Sequence, residues 1–385
     1  MRFLQLVTAG TLAPTAVAVF RLAAPLGALV GALAAAATAT AVLAPIGARV
    51  RFGFQDERRA RSSSTLAVLF DLLWMTSMLA PVTTLLAAVG LAVAHRLSLG
   101  AACEVGVAGA ALVAGYGVLV RRRWVRRRRV ELEIPGLPAA FDGYRIVHLS
   151  DLHVGSIDRR EEALAWSHAA NALDADLAVI TGDILTTGTA YHDDAADAVG
   201  ALRAKDGVFA CLGNHDYYGE EELCAKLARR GARVLRNEGV AITRGRETLW
   251  LAGIEDVWRG APDLRAALRG RPEGAPIVLL AHNPDFFPRA REAGVSLTLS
   301  GHTHAGQLAV PFLVSRATLS HFVTRWPAGL FRDGAASIFV HAGLGTTGPA
   351  IRLGAAPEVV EIVLKATPSG RGRPTASGRG HRSER

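Results

Sequence analysis

Residues 144–183 read YRIVHLSDLHVGSIDRREEALAWSHAANALDADLAVITGD. "YRIVHLSD" is a short apolar run that stops at a carboxylate, the pattern of a buried strand ending in a loop. "RREEALAWSHAANAL" reads as an amphipathic helix, and "DLAVITGD" as a second strand that again stops at a carboxylate. The pattern then repeats. Residues 193–204 suit a helix, "VFACLGNHD" a strand, and residues 219–231 a helix closed by Gly231. Residues 232–256 look like paired strands, and a short helix fits "PDLRAALRG". "PIVLLAHNPD", "VSLTLSGHTH", "SIFVHAGLG" and "PEVVEIVLK" supply further strands. Upstream, Val130 to Ile134 alternates like an edge strand and Pro135-Gly136 turns it. Strands alternating with helices, then strands with strands, predict an α/β sandwich with mixed sheets. No internal repeat is visible.

Five of these strand-like runs end in the same kind of chemistry. The first ends in Asp151 and His153, the second in Asp183, and the third in Asn214, His215 and Asp216. "IVLLAHN" ends in His282, and "LTLSGHTH" in His302 and His304. Asp151 to Asp183 spans 32 residues and Asp183 to Asn214 spans 31, lengths of βα units that bring successive strand ends to one rim. Ligands gather beyond the carboxyl ends of strands in such sheets. Any one of these side chains could be an ordinary loop residue, but five strand ends together predict a shared site. Imidazole and carboxylate without thiolate suit Mn, Fe, Zn or Co. Seven ligands exceed one tetrahedral zinc site and fit two divalent metal ions sharing a carboxylate.

These motifs, D-x-H at 151–153, G-D at 182–183, G-N-H-D at 213–216, His282 and G-H-T-H at 301–304, resemble the calcineurin-like metallophosphoesterase superfamily over about residues 143–365. "GHTHAGQ" and "GLGTTGPAIRLGAAPEVVEI" further resemble its membrane-associated bacterial YkuE/YaeI-like branch of phosphodiesterases and UDP-diacylglucosamine pyrophosphatases. The resemblance implies a four-layer α/β sandwich and a metal-dependent phosphoric ester hydrolase of phosphodiesterase or pyrophosphatase type. Asp151, His153 and His304 would hold one metal, and Asn214, His282 and His302 the other, with Asp183 bridging. A hydroxide held between the metals would attack phosphorus, and His215, the catalytic residue, would protonate the leaving oxygen or stabilise its charge. One departure stands out. Many relatives read G-D-x-x-D, and here Thr186 takes the place of the second Asp, leaving the orientation of His215 to be explained. Asp216 is a candidate substitute.

Ahead of this domain lies a different chain. Residues 3–20 and 22–48 carry no charged side chain, residues 65–94 carry only Asp71, and residues 97–120 only Glu104. Each run approaches or exceeds the ~20 residues that cross a bilayer, so the expectation is an all-α transmembrane region of about four helices over residues 1–129. The first run is short and contains Pro14. Net charge follows the same division. Residues 1–129 carry +11, the tail 366–385 carries +4 and the middle −6, so the basic character belongs to the flanks and gives no ground for a nucleic-acid partner. Arg49, Arg51, Arg58, Arg59 and Arg61 follow the second run, and Arg121, Arg122, Arg123, Arg126, Arg127, Arg128 and Arg129 the fourth. The rule that positive loops stay inside predicts a multi-pass cell-membrane protein with a cytoplasmic catalytic domain, its arginines against anionic membrane lipids. A membrane placement makes a lipid-linked phosphoester one candidate substrate. The Gly-, Ser-, Pro- and Arg-rich tail is expected to be disordered.

Other polar residues receive structural readings. Cys103, Cys211 and Cys224 have no paired spacing and should be reduced. His148 reads as a packed core histidine, His168 and His192 as surface positions, and His321 and His341 as structural. Arg352 is equally a phosphate contact or a structural ion pair. Asp71, a charge within a span, is a functional candidate by default. Two other function classes remain open: a metal-binding sensor or scaffold without turnover, and a regulatory domain of a membrane transporter.

Overall fold

The computed structural model describes residues 2–27, 33–40, 64–94, 98–309 and 318–367. Three long helices come first: α1 (Arg2–Ala23), α2 (Ser64–Val93) and α3 (Leu99–Gly115). Pro14 lies inside α1 and is tolerated there. Two stretches among the described residues, Ala67–Val93 and Leu99–Arg123, are long and apolar enough to cross a membrane. Of the expected second span only residues 33–40 are described, as helix, and the arginines at 49–61 and the tail beyond 367 lie outside the described residues. α2 and α3 form an antiparallel hairpin in which Gly106 sits directly on Thr84, where a Cβ would come inside 3.0 Å. A small residue is what lets the two helix backbones approach this closely. Glu104, the charge in the last apolar run, pairs with Arg21 of α1 at 2.6 Å.

Beyond α3 the chain passes through a wider π turn at Tyr116–Val120 and a short turn at Arg121–Arg123, then enters β1 (Arg126–Ile134). The edge strand thus starts inside the arginine run and not at Val130. It pairs in parallel with β12 (Glu358–Ala366), which places Arg126 opposite Glu358 and Arg129 opposite Glu361. Arg126 and Arg128 contact Glu358 at 3.2 and 3.7 Å, and Arg129 contacts Glu361 at 3.5 Å. These arginines pair with acids across the strands, with the Arg126 and Arg129 side chains still more than half exposed.

The sandwich has two six-stranded sheets. One runs β1-β12-β2-β3-β4-β5, with β2 (Arg145–Leu149), β3 (Leu177–Thr181), β4 (Val208–Cys211) and β5 (Ala232–Val234) parallel to one another. The other runs β10-β11-β9-β8-β7-β6, with β6 (Glu238–Arg244), β7 (Glu247–Gly253), β8 (Ile277–Leu280), β9 (Leu297–Ser300), β10 (Gly329–Asp333) and β11 (Ala336–Val340). Here β7, β8, β9 and β11 are parallel and the outer strands antiparallel. Central strands such as "LAVIT" and "IVLL" are apolar without alternation because both of their faces are buried. Between the sheets lies one core, including Leu132, Ile146, Val179, Leu251, Val278, Leu299, Phe339 and Ile362. Helices α4 (Arg160–Asn171), α5 (His192–Gly200) and α6 (Glu220–Arg229) cover the first sheet through Trp166, Val199 and Leu223. A one-turn helix at Leu264–Ala267 and α7 (Phe287–Glu292) cover the second. That gives the four layers expected. β10 escaped the sequence reading because "GLFRD" is brief and lacks periodicity.

Candidate metal centre

The two sheets turn the carboxyl ends of β2, β3, β4, β8 and β9 to one rim, and the five predicted groups of side chains meet there. Asp151, His153, Asp183 and His304 offer ligand atoms that all lie within 4.8 Å of one another. Asp183, His282 and His302 form a second such group within the same limit, so Asp183 belongs to both. Nε2 of His153 lies 2.9 Å from Nε2 of His304 and 3.5 Å from Asp183 Oδ2. Nε2 of His282 lies 3.3 Å from Asp183 Oδ2 and 3.2 Å from Nδ1 of His302.

Backbone conformation aims these groups. Asp151, His153, Asp183, His302 and His304 all have φ between 47° and 70°. Non-glycine residues rarely adopt this left-handed region, and its concentration here is strain held by the surrounding structure. The loops lock to each other: His302 N donates to Asp151 Oδ1 at 2.9 Å, and His215 N to Asp183 Oδ1 at 2.9 Å. His282 Nδ1 donates to the Thr181 carbonyl at 2.7 Å, which turns Nε2 toward Asp183 and His302. Gly213 sits so close to Asp183, and Gly301 to Ser150 and Asp151, that a Cβ at either would come inside 3.0 Å.

The electrostatics suit cation binding. Burial tends to raise the Asp183 carboxyl, but His282, His215 and His153 hold it well below the usual carboxylate range. Burial pushes Asp151 up to about 6. It pushes His153 and His302 down to about 3 and His304 well down, leaving three neutral imidazoles. His282 goes the other way, to about 10, since Asp183 and Asp151 outweigh its burial. Its charge here neutralises part of what a divalent cation would neutralise. Asn214 lies between Gly213 and His215, and its Oδ1 is buried without a protein hydrogen bond. A buried orphan oxygen beside a carboxylate shared by two clusters fits divalent cations.

The question raised by Thr186 has a structural answer. The ring Nδ1 of His215 hydrogen-bonds to the backbone carbonyl of Thr186, which fixes the ring without a carboxylate. The Thr186 hydroxyl donates instead to the His153 carbonyl at 2.6 Å. Asp216 does not serve His215. It accepts from Gly213 N at 2.9 Å and Leu185 N at 3.0 Å, so it braces two loops.

Remaining polar residues sort as follows. His148 is buried on Thr181 Oγ1 at 2.8 Å and packs edge-on against His341, so neither is a ligand. His168 and His321 are exposed. His192, expected at the surface, is fully buried and hydrogen-bonded to the Tyr218 carbonyl at 3.1 Å. Among the described residues no carboxylate pairs with Arg352. This arginine is buried, donates to the carbonyls of Ala342 and Gly345 at 2.9 and 2.6 Å, and lies 3.4 Å from His304 Nδ1. All three cysteines are free. Two residues at the rim were missed. Asp256 follows β7, is buried, and its charge acts on His282. Trp258 stands edge-on to His302 with ring centres 4.3 Å apart. The signal was available, since "WLAGIED" ends in an acid as the other five runs end in ligands.

A profile of the calcineurin-like phosphoesterase family matches residues 144–306. The chain is 30% identical over 250 residues to a metallophosphoesterase of Aquifex aeolicus, covering 63% of this chain and 92% of that one. It is 29% identical over 259 residues to the metallophosphoesterase YkuE of Bacillus subtilis, covering 66% and 90%. Against a zebrafish (Danio rerio) protein named a transmembrane protein with metallophosphoesterase domain it is 32% identical over 270 residues, covering 66% and 61%. The chain therefore spans about three-fifths of the length of that vertebrate relative.

Proposed function

The chain belongs to the calcineurin-like metallophosphoesterase family, and on that premise we propose that it is a membrane-anchored, two-metal hydrolase of phosphodiester or pyrophosphate bonds. The observation that carries the reading is the pair of donor clusters sharing Asp183. Asp151, His153 and His304 would hold one divalent cation and Asn214, His282 and His302 the other, with Asp183 common to both. Bound there, two divalent cations lower the pKa of water and offset charge on phosphoryl oxygens. His215 would carry the proton transfer: its Nδ1 is committed to the Thr186 carbonyl, which leaves Nε2 for a leaving oxygen.

Membrane placement is supported by the two apolar helices of the hairpin and by the vertebrate relatives' names. A cytoplasmic catalytic domain remains the orientation that the arginines favour. Their pairing with acids in β1 and β12 does not weaken this, because topology is set on the chain before it folds. Exposed apolar residues favour a lipid-linked substrate. Leu319, Phe322 and Val323 are all more than half exposed, on a turn tied to the His302–His304 loop by Ser320 Oγ to Thr303 O at 3.1 Å.

The test uses the full chain in detergent, stripped of metal and assayed on bis(p-nitrophenyl) phosphate and on a lipid-linked pyrophosphate. Turnover restored by Mn²⁺ and absent in Asp183→Asn supports the hydrolase. A preference for the lipid-linked compound supports the narrower substrate class. Metal uptake without turnover on either compound would favour a sensor or scaffold and sink the hydrolase.

A further inference from the structure

The geometry points to a role for the membrane hairpin beyond anchoring: we propose that Arg122 and Asp71 are positioning residues that hold the Asp151–His153–His304 half of the metal centre. One of the two metal positions would then be built on the membrane helices. The proposal rests on the two-metal reading above and deepens it.

Two paths of contact lead from the helices to this half. The first starts at Arg122, just past α3, whose side chain is 1% exposed. Its Nε donates to the Val118 carbonyl at 2.7 Å and its Nη1 to Asp158 Oδ1 at 2.8 Å. The other Asp158 oxygen accepts from both N and Oγ1 of Thr346, each at 2.8 Å. Asp158 closes the turn that leaves His153, since Gly155 N donates to its carbonyl at 2.8 Å. Thr346 follows Gly345, whose N donates to the Asp151 carbonyl at 2.8 Å. Gly345 packs so tightly that a Cβ would run into the Leu152 carbonyl and approach His153 Cβ to 3.1 Å.

The second path starts at Asp71 in α2, whose Oδ2 accepts from Ala350 N at 3.2 Å. Next to Ala350, Ile351 is buried among Trp74, Met75, Ala114 and Val118 of the helices. Arg352 N then donates to the Gly117 carbonyl at 3.3 Å, within the π turn. The Arg352 guanidinium reaches His304 Nδ1 at 3.4 Å. Gln307 ties the same two loops, donating to the Pro349 carbonyl at 3.1 Å and accepting from Thr347 N at 2.8 Å.

Both paths end on Asp151, His153 and His304. Among the described residues no hydrogen bond or ion pair joins the helices directly to any of these ligands; the relays reach Asp151, His153 and His304 first, and His302 one contact later, through its N–H on Asp151 Oδ1 at 2.9 Å. Second-sphere partners of this kind set ligand orientation, and their loss typically weakens metal binding about 10–100-fold. A buried ion pair serves the purpose because neither charge can leave its partner without stranding it.

The experiment titrates the metal-free full chain, in detergent, with Mn²⁺ and follows free Mn²⁺ by electron paramagnetic resonance. Wild type is expected to take up two ions. Arg122→Met, Asp158→Asn and Asp71→Ala should each weaken one position by about 10–100-fold and leave the other unchanged. Thr346→Val, nearly isosteric and without a change of charge, should act in the same direction and covers the case in which a charge variant fails to fold. The double variant Arg122→Met/Asp158→Asn leaves no stranded charge. It should regain melting temperature without regaining affinity, whereas recovery of both would mean that only stability was lost. Wild-type affinities in the variants, or equal weakening at both positions, would overturn the proposal. A wild-type chain that binds no Mn²⁺ would remove the two-metal reading itself.

Discussion

Gly213→Ala tests the geometry of the shared carboxylate most directly. Gly213 has no positive φ, so the backbone does not need glycine for torsional reasons. What excludes a side chain is contact: a Cβ would come inside 3.0 Å of Asp183 N, Oδ1 and Cγ, where ordinary contact begins at 3.4 Å. Asp183 N is backbone and cannot rotate away, and Oδ1 is held by His215 N. The β3 and β4 loops must therefore part. A shift of about 1 Å in a catalytic group typically costs about 100-fold in rate. Overpacking adds about 1–3 kcal/mol of lost stability. The expected variant folds, melts lower, binds Mn²⁺ more weakly at both positions and hydrolyses bis(p-nitrophenyl) phosphate roughly 100-fold more slowly. Gly109→Ala is the control, since a Cβ there meets nothing within 4 Å. Wild-type turnover and melting in Gly213→Ala would show that the packing around Asp183 is looser than described and refute the argument.

Other outcomes follow from single observations. Asn214→Ala should act with opposite signs on the two forms: removing a buried unpaired oxygen stabilises the metal-free protein by about 1–3 kcal/mol, while the metal-loaded protein loses a ligand and melts lower. Thermal melts with and without Mn²⁺ check this, and equal shifts in both forms would argue against Asn214 as a ligand. A chain starting at residue 131 cuts the paired residues Arg126–Val130 from β1 and should melt about 5–10 °C below one starting at residue 121. Coincident melts of the two would show that this half of β1 is dispensable. Burial, with Arg352 and Arg128 nearby, pushes His341 down to about 3 from an ordinary 6.5, so it is neutral when folded and takes up a proton below pH 6.5 only when unfolded. Its stability contribution is therefore full above pH 6.5 and is lost as pH falls towards about 3, by about 1.4 kcal/mol per pH unit. Denaturant melts of metal-free His341→Gln from pH 7 to pH 5 should show a shallower acid decline than wild type, and parallel declines would exclude the assignment.

What was legible in the sequence was legible because it is local. Asp151, Asp183, His282 and His302 each follow an apolar strand at a fixed offset, so strand period alone places them on one rim. The orientation of His215 was not legible, because a missing carboxylate at Thr186 suggests a lost function until the backbone carbonyl is seen to replace it. A carbonyl has no sequence signature. His192 failed for a related reason: it opens a helix rich in Asp193 and Asp194 and reads as polar surface, yet α6 packs over it. Asp256 was missed because it stands three residues past its strand, where Asp151, Asp183, His282 and His302 each stand two past theirs.

The junction with the apolar helices was the least legible part, and its physics is long-range. A run of seven arginines after an apolar helix satisfies the positive-inside rule whatever each side chain does after folding. Composition cannot separate Arg122, enclosed with Asp158, from Arg126, which faces Glu358 across a strand pair 232 residues away in sequence. The same holds for Asp71. In isolation a carboxylate in a span signals transport or a proton path. Seen with its partner, it accepts a backbone N–H from the loop that carries Arg352 to His304. That changes which experiment isolates the catalytic unit. If the hairpin merely tethered the sandwich, a soluble fragment would retain the metal centre. With Arg122 and Asp71 bracing it, such a fragment should keep Asn214, His282 and His302 in order and lose order around Asp151, His153 and His304. A fragment binding a single metal, inactive until rejoined to its helices, is the behaviour that these contacts require.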